Sequence, residues 1–387
     1  MDGHRAYLDY NASAPLLDAA REAMGLALDC DANPSSVHGE GRTARRLIED
    51  ARRAVASLAN AIPDHVVFTS GATEAAATLL TPNWRMGRGV IRMARLYVAA
   101  SDHPCILGGG RFRPDQIETI GIDGNGVIDL AELADALAKH DSEAGLPMVA
   151  IHHANNETGV VQPVAEIAAF VHGAGGVFVL DAVQSAGRIS LDITEGSVDF
   201  LILSSHKIGG PKGAGAIVGA SDLLMPEPLV TGGGQEKGHR AGTENVAAIA
   251  GFGAAAAEAL ASLGGMAAVG ALRSRIESAI RSNVDFAEIY GEGAERLSNT
   301  VFFAIPDMAA ETLQIAFDLA GVAVSAGSAC SSGKVGPSHV LKAMGRAGES
   351  ALRVSIGRGT TDADIALFEK ALAGIVARQV ARKEKAA

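Results

Sequence analysis

The chain has 387 residues, 48% of them hydrophobic and 20% charged, with 33 Lys and Arg against 44 Asp and Glu for a net charge of −11. That apolar fraction excludes a disordered chain, and the acidic balance excludes a nucleic-acid backbone as a direct partner, since such affinity rests on clustered Lys and Arg. No apolar run approaches the ~20 residues of a membrane span, so no membrane partner is expected.

An amphipathic helix is predicted over residues 18–28, after Pro15. A longer one is predicted over 41–59, with Ala44, Leu47, Ile48, Ala51, Val55 and Leu58 at helical spacing. Its Arg42, Arg45, Arg46, Arg52 and Arg53 alternate with Glu40, Glu49 and Asp50 and read as a solvated helix face. A repeated pattern follows, of apolar strand, polar tip and helix. Residues 65–69 run into Ser70-Gly71-Ala72-Thr73-Glu74, and 148–152 into His153-Ala154-Asn155-Asn156-Glu157. Residues 177–180 end at Asp181, and 200–203 at Ser204-Ser205-His206-Lys207. Near-continuous apolar strands between helices predict a mostly parallel sheet covered on both faces, with the ligand beyond the strands' carboxyl ends. From 245 to 282 the pattern is helical, broken at Gly264-Gly265. Strands predicted at 299–305, 322–325 and 352–356 then suggest a smaller α+β domain.

The three cysteines, Cys30, Cys105 and Cys330, are too scattered for a disulfide framework or a paired-cysteine metal site, so no metal is expected. The N-terminal stretch lacks a signal-peptide core and a transit pattern, which makes the cytoplasm the expected location. Glycine is abundant, 46 residues, against an average usage near ~7%. Its clusters mark turns where backbone approaches something closely.

Five positions carry chemistry on their own terms. Ser70-Gly71-Ala72-Thr73 lies between a strand and a helix, where free N–H groups make either an anion site or an ordinary cap complemented by Glu74. It is not a P-loop, because no Lys-Ser/Thr follows. Asp181 closes an apolar strand, where a carboxylate needs a partner unless it caps the following segment, and Gln184 lies three residues on. Lys207, at a strand tip among Gly209, Gly210 and Gly213 and beside His206, suits Schiff-base chemistry. Cys330 lies in the small, polar run Ser325-Ala326-Gly327-Ser328-Ala329-Cys330-Ser331-Ser332-Gly333, which suits an accessible nucleophilic thiol. Cys30 and Cys105 read as small buried hydrophobes. Arg353, within an apolar strand, needs a carboxylate or phosphate partner.

Taken together the motifs resemble the cysteine desulfurases, the NifS/IscS-like group of the class V aminotransferase family. The match runs nearly end to end. It is carried by Tyr7-Leu8-Asp9-Tyr10-Asn11-Ala12, Asn33-Pro34-Ser35-Ser36-Val37-His38 with Gly41-Arg42, and residues 69–74. Further on it rests on 153–159, Asp181-Ala182-Val183-Gln184-Ser185, 204–213, Arg240-Ala241-Gly242-Thr243-Glu244-Asn245 and Pro337-Ser338-His339-Val340-Leu341. The resemblance implies the type I fold of pyridoxal 5'-phosphate (PLP) enzymes. A large PLP-binding α/β domain would span 16–258. A small α+β domain of 1–15 and 259–387 would carry the catalytic cysteine loop at about 325–340.

The resemblance also implies roles. Lys207 would hold PLP and shuttle the substrate Cα proton. Asp181 would pair with the ring nitrogen, Gln184 with the ring hydroxyl, and His103 would stack on the ring. Thr73, Ser204 and His206 would bind the phosphate, with Thr243 from a second subunit, which implies a homodimer. Asn156 and Arg353 would orient L-cysteine, Arg353 at its carboxylate, with Asn33 assisting. Cys330 would take the substrate sulfur as a persulfide, leaving L-alanine, and pass it to an iron–sulfur scaffold or another acceptor protein. The long cysteine loop resembles the subgroup that serves such scaffolds. Two departures stand out: Ala75-Ala76-Ala77, where relatives carry Asn or Asp, and Gly108-Gly109-Gly110, which predicts a truncated helix behind His103. The rival readings are a selenocysteine or cystine lyase that forms no persulfide, and a sulfur-relay protein without catalysis.

Overall fold

The computed structural model describes residues 4–326 and 338–386. Strand β1 (Ala6–Tyr7) is followed by helices α1 (Asp18–Leu28) and α2 (Gly39–Leu58). Helix α2 starts ahead of its predicted first residue because His38 Nδ1 accepts the Gly41 N–H at 3.2 Å and caps the first turn. It buries Ala44, Ile48, Ala51 and Val55. Arg52 departs from the expected solvated face. It is buried, and its guanidinium grips Glu236 with two bonds of 2.8 and 2.7 Å.

The sheet region contains β2 (Val66–Thr69), α3 (Ala72–Leu79), β3 (Asn83–Met86), β4 (Gly89–Ala99), α4 (Pro104–Leu107) and β5 (Ile117–Ile120). It continues through α5 (Leu130–Ala138), β6 (Leu146–His152), α6 (Val164–Gly173), β7 (Val177–Asp181), β8 (Phe200–Ser204), β9 (Gly215–Gly219) and β10 (Leu224–Pro226). The strand order is β10-β3-β4-β6-β7-β8-β9-β2, with β5 also on β4. Strands β4 to β8 of this order run parallel. Val149 and Ile151 of β6 enter one core while Met148 and Ala150 enter another, so helices cover both faces.

The predicted strand at 65–69 is not beside the other three. It is separated from β8 by β9, antiparallel to both, so two reversals restore its direction. The ends of β2, β6, β7 and β8 therefore share one edge of the sheet. Strand β9 carries no polar tip and hides in a glycine-rich stretch; Gly215 is required there, because a Cβ would lie 2.7 Å from the Gly71 Cα at the start of α3.

Helices α7 (Val246–Ala261) and α8 (Met266–Asn283) follow, kinked around Gly264-Gly265 as expected. Then come β11 (Glu288–Ile289), β12 (Thr300–Ala304), α9 (Ala310–Leu319), β13 (Val322–Ala323), β14 (Ser325–Ala326), α10 (His339–Ala343), β15 (Leu352–Ser355) and α11 (Asp362–Ala386). An antiparallel sheet of order β11-β12-β15-β14 has its own core, while β13 pairs with β1 from the opposite end of the chain. The strand predicted at 322–325 is thus two strands with different partners. No single helix among the described residues is long and apolar enough to cross a membrane.

Candidate active site

Beyond the shared strand edge lies a cavity of about 490 Å³, lined by Thr73, His103, Asn156, Asp181, Gln184, Ser204, His206 and Lys207. A wider groove of about 870 Å³ by Arg95, Glu118 and Lys139 gathers none of the expected site residues. Asn33 and Thr243 are exposed and do not line the cavity of their own chain. Cys330 lies outside the described residues.

Lys207 ends a 3-10 turn directly after β8, and its Nζ donates to the carbonyls of Asn11 at 2.6 Å and Ala12 at 3.0 Å. Asp181 ends β7, opposite His152 in register, and its Oδ1 accepts the Val183 N–H at 3.0 Å. Burial pushes its carboxyl up to about 6, with Asp102 adding and His152 and Lys207 opposing. His103 caps α4: its Nδ1 accepts the Cys105 N–H at 3.2 Å, which leaves its proton on Nε2. Burial, then the Lys207 charge, lowers His103 to about 4, and burial followed by Lys207 and Lys212 does the same for His206. Both imidazoles are neutral at pH 7.

At the start of α3, Glu74 accepts the Ser70 N–H and the Arg240 Nε–H, each at 2.9 Å. Glu74 therefore acts as the expected cap, yet it occupies only one donor. The remaining first-turn N–H groups and the Thr73 hydroxyl stay beside the cavity, joined there by Ser204 and His206. The cap thus leaves donors facing the cavity.

Arg353 is buried on β15. The carboxylate it meets in the structure is Asp9, whose Oδ1 accepts from Nη2 at 2.8 Å, while Nη1 donates to the Asn156 carbonyl at 2.8 Å. It thus sits one residue away from the cavity wall. Gln184 donates to the Asn11 carbonyl at 3.0 Å and accepts from Arg188. Cys105 borders the cavity half-buried, its thiol pushed up by burial and so inert as a thiolate. Cys30, expected to be buried, is only half-buried.

Sequence reasoning assigned no role to Asn11, although it lies within a quoted motif. Fully buried, it accepts from Lys207 and Gln184 through its carbonyl, and its amide joins Thr300 at 2.9 Å and Asn299 at 3.0 Å. A second missed group runs behind Asp181. Asp102 accepts the N–H groups of Ala99 and His152 and the His152 ring N–H. Gln162, its amide oriented by Ile128 N–H and Gly126 O at 2.9 Å each, donates to His152 Nε2 at 3.2 Å. The third is the anchor of α10. The Ser338 hydroxyl donates to buried Glu157 at 2.6 Å, and His339 Nε2 donates to the Asp102 carbonyl at 2.9 Å. Polar residues at the end of an apolar strand, His152 among them, were the available signal.

The aminotransferase class-V family profile matches residues 6–368. The chain is 38% identical over 382 residues to a cysteine desulfurase of Cereibacter sphaeroides, covering 96% of each chain. It is 36% identical to the cysteine desulfurase IscS 1 of Archaeoglobus fulgidus, covering 96% of this chain and 97% of that one. Among solved structures it resembles a NifS-like protein from Rickettsia africae, with a TM-score of 0.85, 32% identity, and coverage of 96% of this chain and 99% of that one. Full-length coverage, fold and site agree: the chain belongs to the aminotransferase class-V family.

Proposed function

We propose that this protein is a PLP-dependent cysteine desulfurase that moves sulfur from L-cysteine to its own Cys330, releases L-alanine, and passes the sulfur to an iron–sulfur scaffold or another acceptor. The observation that carries this reading is the convergence of Lys207, Asp181, His103 and the α3 anion site on one cavity. Full-length similarity to several proteins named cysteine desulfurase supports it. The type I PLP fold, a cytoplasmic location and a division into 16–258 and 1–15 with 259–387 belong to the same reading. Separate cores and the β1–β13 pairing support the division, with its seam in the last turn of α7.

The donor set fits the cofactor. A buried acid raised to about 6 suits a protonated ring nitrogen, and donors at a helix N-terminus suit a phosphate. Asp181 would hold the ring nitrogen, Gln184 the hydroxyl, His103 one ring face, Lys207 the aldehyde carbon, and Thr73, Ser204 and His206 the phosphate. Thr243, exposed near the exposed apolar Leu229 and Val230, would reach the partner's phosphate in a homodimer. Bound PLP supplies an electron sink that stabilises negative charge at the substrate Cα.

The chain's own groups do the rest. Lys207, once free of the Asn11 and Ala12 carbonyls, takes the Cα proton on Nζ. Neutral His103 offers a flat face without repelling that ammonium. Arg353 exchanges Asp9 for the substrate carboxylate, one carboxylate for another on the same guanidinium. Asn156, tied to Arg353 through its carbonyl, faces the substrate from the cavity wall, with Asn33 assisting. The Cys330 thiolate attacks the substrate sulfur, forming S–S as the carbon–sulfur bond breaks. The electron pair left on carbon is protonated, so one L-cysteine and one thiol give one L-alanine and one persulfide.

The test measures alanine and sulfide formed from L-cysteine. Lys207→Ala is expected to abolish both products and the yellow colour of the purified protein, and Cys330→Ala to abolish sulfur transfer. Wild-type sulfur release by Cys330→Ala would instead identify a lyase that forms no persulfide. A colourless wild-type protein would identify a non-catalytic relay.

A further inference from the structure

A second cavity, of about 230 Å³, lies behind the first, and Lys207 lines both. Two guanidiniums line it, Arg188 from the turn after β7 and Arg358 from the turn after β15. Three arginines with buried side chains meet carboxylates: Arg52 meets Glu236, Arg296 meets Glu277 and Arg353 meets Asp9. Arg188, half-buried, and Arg358, exposed, form no ion pair among the described residues, although the Glu258 charge acts on Arg358. Arg188 Nη1 donates to the Gln184 carbonyl at 2.8 Å and to the Gln184 side-chain oxygen at 2.5 Å. Arg358 Nη1 donates to the Glu258 carbonyl at 2.7 Å and the Ser262 hydroxyl at 2.5 Å. Every one of these acceptors is a neutral oxygen. Asp18, exposed at the start of α1, is the one acidic residue on the cavity wall.

Arg188 is partly withdrawn from water without a counter-ion, and a guanidinium's planar fork is shaped for an oxyanion. Burial, followed by the neighbouring Arg353 charge, lowers Arg188 to about 9, which still leaves it charged at pH 7. Lys207 adds a third positive group on the shared wall. The volume admits a species of acetate or sulfate size and excludes a nucleotide.

We propose that this rear cavity binds one small oxyanion, a carboxylate or an inorganic anion, held by Arg188 and Arg358. The site reaches the first cavity through Gln184, whose amide lines that cavity while accepting from Arg188. An anion that draws Arg188 toward itself loosens the same amide. This proposal does not depend on the desulfurase reading.

Isothermal titration calorimetry of the full chain with sodium acetate and with sodium sulfate, in chloride-free buffer, tests it. Wild-type protein is expected to bind at least one of them saturably at one site. Arg188→Gln and Arg358→Gln should each weaken that binding by about tenfold or more, with Arg188→Lys retaining part of it. Tighter acetate binding identifies a carboxylate as the occupant, and tighter sulfate binding an inorganic anion. No saturable binding by the wild type, or unchanged binding in both glutamine variants, overturns the proposal. So does binding lost in His206→Ala but kept in Arg188→Gln, because that anion would sit in the first cavity. If Arg188→Gln does not fold, Arg358→Gln carries the comparison.

Discussion

Asp181 ends a fully buried strand, and its carboxyl is raised from 3.8 to about 6 chiefly by burial. Between those values the folded chain holds a proton that the unfolded chain has released. Stability therefore falls as pH rises through this window and stays lowered above it. In cofactor-free protein at pH 7, Asp181→Asn is expected to stabilise the fold, by up to about 3 kcal/mol. The gain should vanish below about pH 4, where both proteins are neutral at this position. Urea midpoints at the two pH values check this, and a variant less stable than wild type at pH 7 contradicts it. The same variant should lose turnover, since the residue that destabilises the empty fold is the one that would pair with a ring cation. Asp181, Lys207 and His206 were legible because each is a polar residue ending an apolar run. Asn11 was not: its role appears only when β12, β15 and the Lys207 turn converge on it from nearly 200 residues or more away. The Asp102–His152–Gln162 chain was hidden for the same reason, since each bond joins segments that local pattern does not connect.

Elements with a strong period were read closely. Helix α1 and the α7–α8 pair fall where spacing put them, and the parallel strands were apparent from their uninterrupted apolar runs. Strand β9 and the β3–β4 hairpin were not, because glycine and arginine interrupt their apolar character. The glycine triplet after His103 was read as a helix breaker, and α4 is a single turn ending at Leu107. The structure adds why the glycines are needed. Gly109 and Gly110 have φ of +67° and +57°, and a Cβ on Gly110 would lie 2.4 Å from the Leu80 carbonyl oxygen. That oxygen also accepts the Arg111 N–H at 2.7 Å, so it has no room to retreat. Gly110→Ala is accordingly expected to destabilise the protein by roughly 2–4 kcal/mol, combining backbone strain with a steric clash. Gly124→Ala, with no atom within 4 Å of its new methyl, is the matched control and should stay within about 0.5 kcal/mol. Equal urea midpoints for the two variants would remove the packing account of the triplet.

At the scale of the whole molecule, the proposed phosphate site lacks one of its proposed residues within a single chain. Thr243 is exposed and absent from its own cavity, but its segment is fixed from both sides. Glu236, at φ +46°, is held by Arg52 and by the Phe68 N–H of β2 at 2.8 Å. Arg240 is held by Glu74, which also accepts from the Ser70 N–H at the α3 turn. Two ion pairs thus tie the Thr243 segment to its own chain, one to α2 through Arg52 and one to the start of α3 through Glu74. If Thr243 completes the partner's site, the cofactor sites of a dimer are assembled in trans, and complementation can detect it. Lys207→Ala subunits cannot hold the cofactor covalently, and Thr243→Ala subunits should retain it about tenfold less tightly than wild type. In a mixed dimer assembled in trans, the subunit with intact Lys207 receives an intact Thr243 from its partner, which restores one complete site. With Thr243 acting within its own chain, every site in the mixed dimer lacks one of the two residues. Co-expressed, differently tagged subunits purified as heterodimers should therefore keep cofactor through dialysis in half of their subunits. Retention no better than in the Thr243→Ala homodimer would place Thr243 outside the partner's site.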